Sequence, residues 1–318
     1  MNDVKFDRRT IPSKAVETRW LAADGWPIRR IDWPAPQGSA RGSLLFVPGR
    51  GDFYEKYLET LDFWHRSGWR VTAIDLRGQA GSGRLGSDPL TGHIDDFETW
   101  VKDIAGFWAE WRASRPGPHV LVGHSMGGHL ALRAIAGGKV DADAAVLSAP
   151  MLGFTASLLP AGIMHWAAKL IMRLGDPRRP AWKWSEKPGE LPETRARLLT
   201  HDPERYADEL WWREQRPELA MGPGSWGWVE RGYASMRWLA RREVLAGVKV
   251  PVLLLCADND KLVSPKATHA AALHLKHGEL IRYGDEARHE LLREVDSVRD
   301  KVLASIDNFL ARAAPPRD

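Results

Sequence analysis

The stretch "HVLVGHSMGGHLAL", His119 to Leu132, decides how this chain is read. Gly123, Ser125, Gly127 and Gly128 interrupt what would otherwise be one apolar run. Glycine weakens strands and helices because its backbone loses the most freedom on ordering, so it is kept where the chain must bend sharply or pack backbone against backbone. Gly123 and Gly127 stand two residues to either side of Ser125, giving the pattern Gly-x-Ser-x-Gly. The residues before the serine read as a buried strand and those after it as a helix. A strand-to-helix turn tight enough to expose a hydroxyl needs small residues on both sides. The helix that begins there also aims backbone N–H groups, and the positive end of its dipole, at the same spot. Ser125 therefore reads as a nucleophile, with the Met126 N–H beside it as one donor to a developing oxyanion. An incidental Gly/Ser turn is the weaker reading.

Around this stretch, short apolar runs alternate with helical patterns. "ETRWLAADGWPIRRIDW" reads as a β-hairpin turning at Asp24-Gly25. Strands follow at "GSLLFVPG", "WRVTAIDLRG", "HVLVGHS", "AAVLSAPM", "VPVLLLCAD" and "ELIRYGD". Helices are predicted at "YEKYLETLDFWHRSG", "DDFETWVKDIAGFWAEWRA", "MGGHLALRAIAGG", "SPKATHAAALHLKHG" and "EVDSVRDKVLASIDNFLARA". Runs such as "SLLFV" and "PVLLL" are apolar throughout, as expected of strands buried on both faces. The fold class is thus α/β, a mostly parallel central sheet flanked by helices. Connections in such sheets are usually short. Residues 152–240 are too long for one and read as an inserted helical cap, which divides the core into 1–151 and 241–318. Eight of the 16 tryptophans fall in that insert, Trp166, Trp182, Trp184, Trp211, Trp212, Trp226, Trp228 and Trp238. Most are expected to pack the cap and a few to line a pocket.

Bulk composition narrows the classes. The net charge is only +4 over 45 basic and 41 acidic residues, with both signs spread along the chain, so no nucleic-acid footprint is evident. The basic run "RWLARREVL" (Arg237 to Leu245) reads as the solvated face of a helix. Cys256 is the single cysteine and sits in an apolar strand, which points to a buried thiol and, with no leader-like apolar core near the N-terminus, to the cytoplasm. The apolar stretch Met151 to Met172 is broken by Pro160, His165 and Lys169, so it does not read as a span, although it leaves room for contact with a membrane surface. "GSGRLG" (Gly81 to Gly86) fits Gly-x-Gly-x-x-Gly but neither directly follows a strand nor opens a helix, so no dinucleotide site is read there. No histidine and carboxylate cluster has metal-ligand spacing. No cofactor or metal is expected.

A serine nucleophile needs a base, and the base an orienting carboxylate, in the chain order Ser, Asp or Glu, His on a fold of this kind. His289 lies in the loop after the last strand. His269, His274 and His277 lie in or beside a helix, and His124 and His129, flanking the serine on its turn, are expected to point elsewhere. "CADNDKLV" offers both Asp258 and Asp260, and spacing does not choose between them.

With these parts in view, the chain resembles the α/β-hydrolase superfamily, and within it the lysophospholipase and monoacylglycerol lipase-like serine hydrolases. The likeness rests on "VPGRGDFYEKY", "DLRGQAGSGR", "GHSMGG", "CADNDKLV" and "RHELLRE" in that order. The resemblance implies that Asp260 orients His289, that Asp258 is structural, and that the second oxyanion donor is the Arg50 backbone N–H. It makes the Gly81–Gly86 loop a neighbour of the active site. Many relatives begin the oxyanion loop with His-Gly, where this chain has Pro48-Gly49. The Arg50 side chain is expected to meet a polar head group or to pair with Asp52 or Glu55. The implied function is hydrolysis of a carboxylic ester, a small-molecule ester or lysolipid, through an acyl-enzyme, with peripheral membrane contact through the cap. A general carboxylesterase or an acyltransferase is the alternative. A non-catalytic binding protein is disfavoured because every member of the triad is present.

Overall fold

The computed structural model describes residues 6–35, 40–155, 161–182 and 193–317; Trp184 and residues 156–160 of the long apolar stretch lie outside them. The strands are β1 (Val16–Leu21), β2 (Pro27–Asp32), β3 (Gly42–Val47), β4 (Trp69–Ile74), β5 (His119–His124), β6 (Ala144–Ser148), β7 (Val252–Ala257) and β8 (Gly278–Tyr283). They form one sheet in the order β1-β2-β4-β3-β5-β6-β7-β8. β1 and β2 form the expected antiparallel hairpin, with Gly25 at φ +81° in its turn, and β2 pairs antiparallel with β4. The remaining pairings are parallel.

β3, β5, β6 and β7 are buried along their whole length, as their unbroken apolar runs require. Each fully buried Leu or Val there contributes about 1.5–3 kcal/mol relative to exposure. β8 lies at the sheet edge and is only partly covered. The register aligns the carboxyl ends of the central strands. Val47 pairs with Gly123, His124 with Ser148, and Ser148 with Leu255. The loops after β3, β5, β6 and β7 therefore leave the sheet side by side, where open α/β sheets place their ligands.

The helices are α1 (Leu58–Arg66), α2 (Phe97–Ala113), α3 (Met126–Ala136), α4 (Ala161–Arg173), α5 (Glu193–Leu199), α6 (Pro203–Gln215), α7 (Trp226–Leu239), α8 (Arg242–Ala246), α9 (Pro265–His274) and α10 (Asp296–Ala313). Short polar side chains open several of them. Asp96 caps α2, Asp202 caps α6 ahead of Pro203, and Ser264 caps α9 ahead of Pro265. α4 to α7 all lie between β6 and β7; α4 packs on α7, and α7 on α2 and α3. The Arg237–Leu245 run straddles α7 and α8 with Arg237, Arg241 and Arg242 exposed and Leu239 and Leu245 buried, the solvated helix face anticipated for it.

One local difference bears on the site. The helix expected from Tyr54 begins as a 3₁₀ turn, Tyr54–Tyr57, and becomes α-helical only at Leu58. All four residues of that turn are buried, including Glu55 and Lys56, because each charge finds a partner inside the protein.

Candidate active site

Ser125 sits at φ +50°, ψ −117°, between the last residue of β5 and the first turn of α3. A side chain in this region is strained, and it persists because neighbours fix it. The Ser125 N–H donates to Ser148 O at 2.9 Å, and its carbonyl accepts from His129 N and Met151 N, both at 3.0 Å. Met126 follows as the first residue of α3, where backbone N–H groups lack helical acceptors. The loop after β3 comes up against this turn. A Cβ built on Gly49 would lie 3.1 Å from the Ser125 Cβ, which brings the adjacent Arg50 backbone to the same place. That loop is braced by Gly49 N donating to Asp52 Oδ2 at 3.1 Å and Gly51 N donating to Gln79 Oε1 at 2.7 Å.

The two aspartates after β7 face different partners. Asp260 Oδ2 accepts from His289 Nδ1 at 2.7 Å, and its Oδ1 accepts from Leu262 N at 2.8 Å and Val263 N at 3.0 Å. Asp258 instead pairs with Arg282 at 2.7 Å and with His269 at 3.2 Å. Burial disfavours the charged Asp260 carboxylate, but the His289 charge and hydrogen bond and the two backbone N–H groups outweigh it and hold the carboxyl below the usual range. Burial likewise disfavours the His289 imidazolium, yet Asp260, Glu290 and Asp52 raise it above the ordinary value. Cys256 is buried, and burial followed by Asp258 and Asp260 pushes its thiol up to about 12, an inert group.

A cavity of about 660 Å³ opens over this ground. Ser125, His289 and the Arg50–Asp52 segment lie on its wall. Helices between β6 and β7 supply apolar lining through Met164, Leu198, Trp226, Trp228 and Tyr233. Of the tryptophans in that region, Trp182, Trp226 and Trp228 reach the cavity, while Trp212 is buried and donates to Arg8 O at 2.9 Å. The Gly81–Gly86 loop meets the strand of chain leading to the cavity through Arg84, which donates to Glu218 O and Ala220 O, both at 2.6 Å.

Two expectations are corrected. Arg50 pairs with neither Asp52 nor Glu55. Its guanidinium carbon sits 5.2 Å from the Trp182 ring centre and 5.0 Å from that of Trp228, and it donates to Gly222 O at 2.8 Å. Asp52 is taken by Lys56 at 2.5 Å, and Glu55 by Arg29 at 2.7 and 2.9 Å. A flat delocalised cation stacks on aromatic faces readily. His124 does not point away from the chemistry. It lines the cavity, its ring centre 4.8 Å from that of His289. Burial, followed by the nearby His289 charge, lowers its pKa to about 4, so it stays neutral beside an ionising His289. His129 does point elsewhere, to Ser235 Oγ at 2.6 Å.

Among the described residues two groups have ligand atoms close enough to share a cation, although sequence spacing signalled neither. In Asp52, His124 and Glu290 the two carboxylates are already held by the Lys56 ammonium, 2.5 Å from Asp52 and 2.6 Å from Glu290. In Cys256, Asp258 and His269 the carboxylate is already held by Arg282.

Comparison with known proteins agrees with this architecture. The family model described as serine aminopeptidase, S33, matches residues 38–296. Lysophospholipase L2 of Escherichia coli K12 is 30% identical over 94% of this chain and 88% of its own length. The structure of a soluble variant of Saccharomyces cerevisiae monoglyceride lipase, with a substrate analog, superposes with a TM-score of 0.75 at 20% identity, covering 97% of this chain and 98% of that one. A thermostable carboxyl esterase of Bacillus coagulans, in complex with glycerol, gives 0.74 at 19% identity over 93% and 97% of the two chains. The chain belongs to the serine aminopeptidase S33 family and is a lysophospholipase and monoglyceride lipase-like serine hydrolase with the α/β-hydrolase fold.

Proposed function

We propose that this enzyme hydrolyses the carboxylic ester of single-chain lipids, lysophospholipids or monoacylglycerols, through an acyl-enzyme on Ser125. The observation that carries the reading is the cavity of about 660 Å³ with Ser125 and His289 on a wall otherwise largely apolar, a fit for an acyl chain ending at a nucleophile. In the proposed cycle His289 removes the Ser125 proton as the hydroxyl attacks the carbonyl, and Asp260 holds the imidazole in the tautomer that accepts at Nε2. The Arg50 and Met126 N–H groups receive the oxyanion. His289 then protonates the departing alcohol, and water repeats the sequence to release the fatty acid. Residues 152–240 act as the cap that selects the acyl chain. The test is fluorophosphonate labelling of the wild type, lost in Ser125→Ala, followed by an acyl-chain series on glycerol and on glycerophosphocholine. A wild type that neither labels nor turns over any of these esters overturns the reading.

We propose further that the enzyme works in the cytoplasm and meets its lipid at a bilayer surface. No helix among the described residues is long and apolar enough to cross a membrane. α4 instead presents Ile163, Trp166 and Leu170, with Leu174 just beyond its end, at spacings of three and four that put them on one face, and all four are exposed. Met164, on the same helix, lines the cavity, so α4 joins this stripe to the cavity wall. α4 carries Lys169 and Arg173 and no acidic residue, which suits an anionic lipid surface. Trp166→Ser with Leu174→Ser is expected to weaken binding to phosphatidylglycerol vesicles by about tenfold or more, since even a partial loss of burial exceeds about 1.4 kcal/mol. Turnover of soluble p-nitrophenyl butyrate is expected to be unchanged. Vesicle binding equal to wild type would remove α4 as the contact.

A further inference from the structure

Behind the cavity lies a buried charge cluster that the reaction scheme above does not use. The Lys56 ammonium, fully buried, touches three carboxylates: Asp52 at 2.5 Å, Glu290 at 2.6 Å and Glu209 at 2.9 Å. Arg293 pairs with Glu290 and, at 3.1 Å, with Glu209; Arg213 pairs with Glu209 at 2.7 Å. Lys56, Arg293 and Arg213 thus meet Asp52, Glu209 and Glu290 inside the protein, and the Arg195 charge also acts on Glu209. Burial alone would neutralise such groups, but the mutual attraction keeps Asp52, Glu209 and Glu290 low and Lys56 high.

The three carboxylates come from three parts of the chain. Asp52 braces the loop that carries Arg50, through its bonds from Gly49 N at 3.1 Å and from the Tyr57 hydroxyl at 2.9 Å. Glu290 is the residue after His289. Glu209 lies on α6, in the insert between β6 and β7. The last two regions are also joined by hydrogen bonds that end on backbone carbonyls. Glu290 N donates to Leu199 O at 2.8 Å, Thr200 Oγ1 to Arg293 O at 2.8 Å, and Arg205 Nη1 to Glu294 O at 2.7 Å. This part of the insert is fastened to the His289 loop rather than lying over it as a separate lid.

From this juxtaposition we infer that Lys56 is a positioning residue, which through Asp52, Glu290 and Glu209 holds the oxyanion loop and the His289 loop in register with each other and with α6. The inference rests on the ester-hydrolase reading. It makes α6 a part of the catalytic framework and the Lys56 charge an electrostatic neighbour of His289. The groups facing His289 include Asp260, Asp52, Glu290 and His124; those around Lys56 include Asp52, Glu209, Glu290 and Arg293; those around Glu209 include Lys56, Arg213, Arg293 and Arg195.

The experiment compares Lys56→Met and Glu209→Gln with wild type in kcat, KM and the pH profile of kcat/KM on p-nitrophenyl butyrate. Removing the Lys56 charge leaves Asp52 and Glu290 uncompensated, favours the His289 imidazolium and moves the acid limb to higher pH. Removing the Glu209 charge leaves Lys56 and Arg293 in excess and moves it to lower pH. In both, kcat is expected to fall by about 10- to 100-fold with KM little changed, as for a displaced catalytic group. A general loss of stability would not move the acid limb in opposite directions. Since breaking a buried ion pair can prevent folding, Glu209→Gln, which keeps the side chain's shape, carries the test if Lys56→Met does not fold. Glu209→Gln with wild-type kcat and an unmoved acid limb overturns the inference, as do shifts of the same sign in the two variants. Failure of the hydrolase reading itself would appear separately, as a wild type without turnover.

Discussion

Asp260→Asn is expected to lower kcat by about 10⁴-fold and His289→Ala by about 10⁶-fold, and the double variant is expected to be no slower than His289→Ala alone. The asymmetry follows from what each side chain touches. His289 moves the proton in every step, whereas Asp260 acts only through the 2.7 Å contact to His289 Nδ1. An Asn at 260 that keeps its oxygen on the Leu262 and Val263 N–H groups preserves the turn but presents its NH₂ group to His289 Nδ1, which favours the wrong tautomer. Asp258→Asn is the control. Asp258 is engaged by Arg282 and His269 and is expected to leave kcat within a few-fold of wild type. The base form of His289 is the neutral imidazole, and the surrounding carboxylates raise its pKa. The acid limb of the wild-type kcat/KM profile is therefore expected above about 6.5, the ordinary imidazole value. Asp260→Asn removes the nearest of those charges and is expected to move the limb downward. Steady-state rates across pH for the wild type and the four variants check all of this. An Asp258→Asn loss as large as that of Asp260→Asn would reverse the assignment of the two aspartates.

Which parts of this site were legible in the sequence depends on whether the interaction is local. The turn at Ser125 was visible because its glycines mark a backbone constraint within five residues. The parallel sheet was visible because strands buried on both faces carry unbroken apolar runs. Asp258 and Asp260 were not separable by spacing, since what distinguishes them is which loop each faces after the β7–β8 pairing is made. Arg50 departs from pairing with Asp52 or Glu55 for the same reason. Its sequence neighbours are acidic, but its partners, Trp182, Gly222 and Trp228, lie more than 130 residues away. The Lys56 cluster left only faint marks, the four-residue spacing of Asp52 and Lys56 and the three-residue spacing of Glu290 and Arg293. Glu209 is one of several charged residues in the α6 sequence, and nothing local sets it apart. Buried ion clusters are assembled by tertiary structure, and a polar residue in a helical pattern does not announce that it faces inward.

The glycines of the opening stretch divide sharply in what they tolerate, and Gly127 is the most demanding. A Cβ built there would lie 2.2 Å from Val47 O and 2.4 Å from Pro48 O, both rigid backbone. At Gly123 it would meet Gly128 N at 2.6 Å and the Gly127 carbonyl at 2.7 Å. At Gly128 the nearest atoms are 3.1 and 3.2 Å away, tight but relievable. Gly127→Ala and Gly123→Ala are each expected to cost at least about 3 kcal/mol, and Gly128→Ala about 1 kcal/mol, read from denaturant midpoints. Gly162→Ala, on α4 with nothing near its added methyl, is expected to be neutral or stabilising by up to about 1 kcal/mol. Gly127→Ala also separates stability from catalysis. Val47 and Pro48 lead directly into the loop that carries the Arg50 N–H. The clash is relieved only by moving that loop away from the Ser125 turn, so whatever protein still folds is expected to lose one oxyanion donor and about 10²- to 10³-fold in kcat. Gly123→Ala presses on the turn itself and not on the β3 loop. Its folded fraction is expected to be impaired through the placement of Ser125, with slower fluorophosphonate labelling to match. Equal stability across the series would mean that the contact between β3 and the first turn of α3 is looser than these distances require.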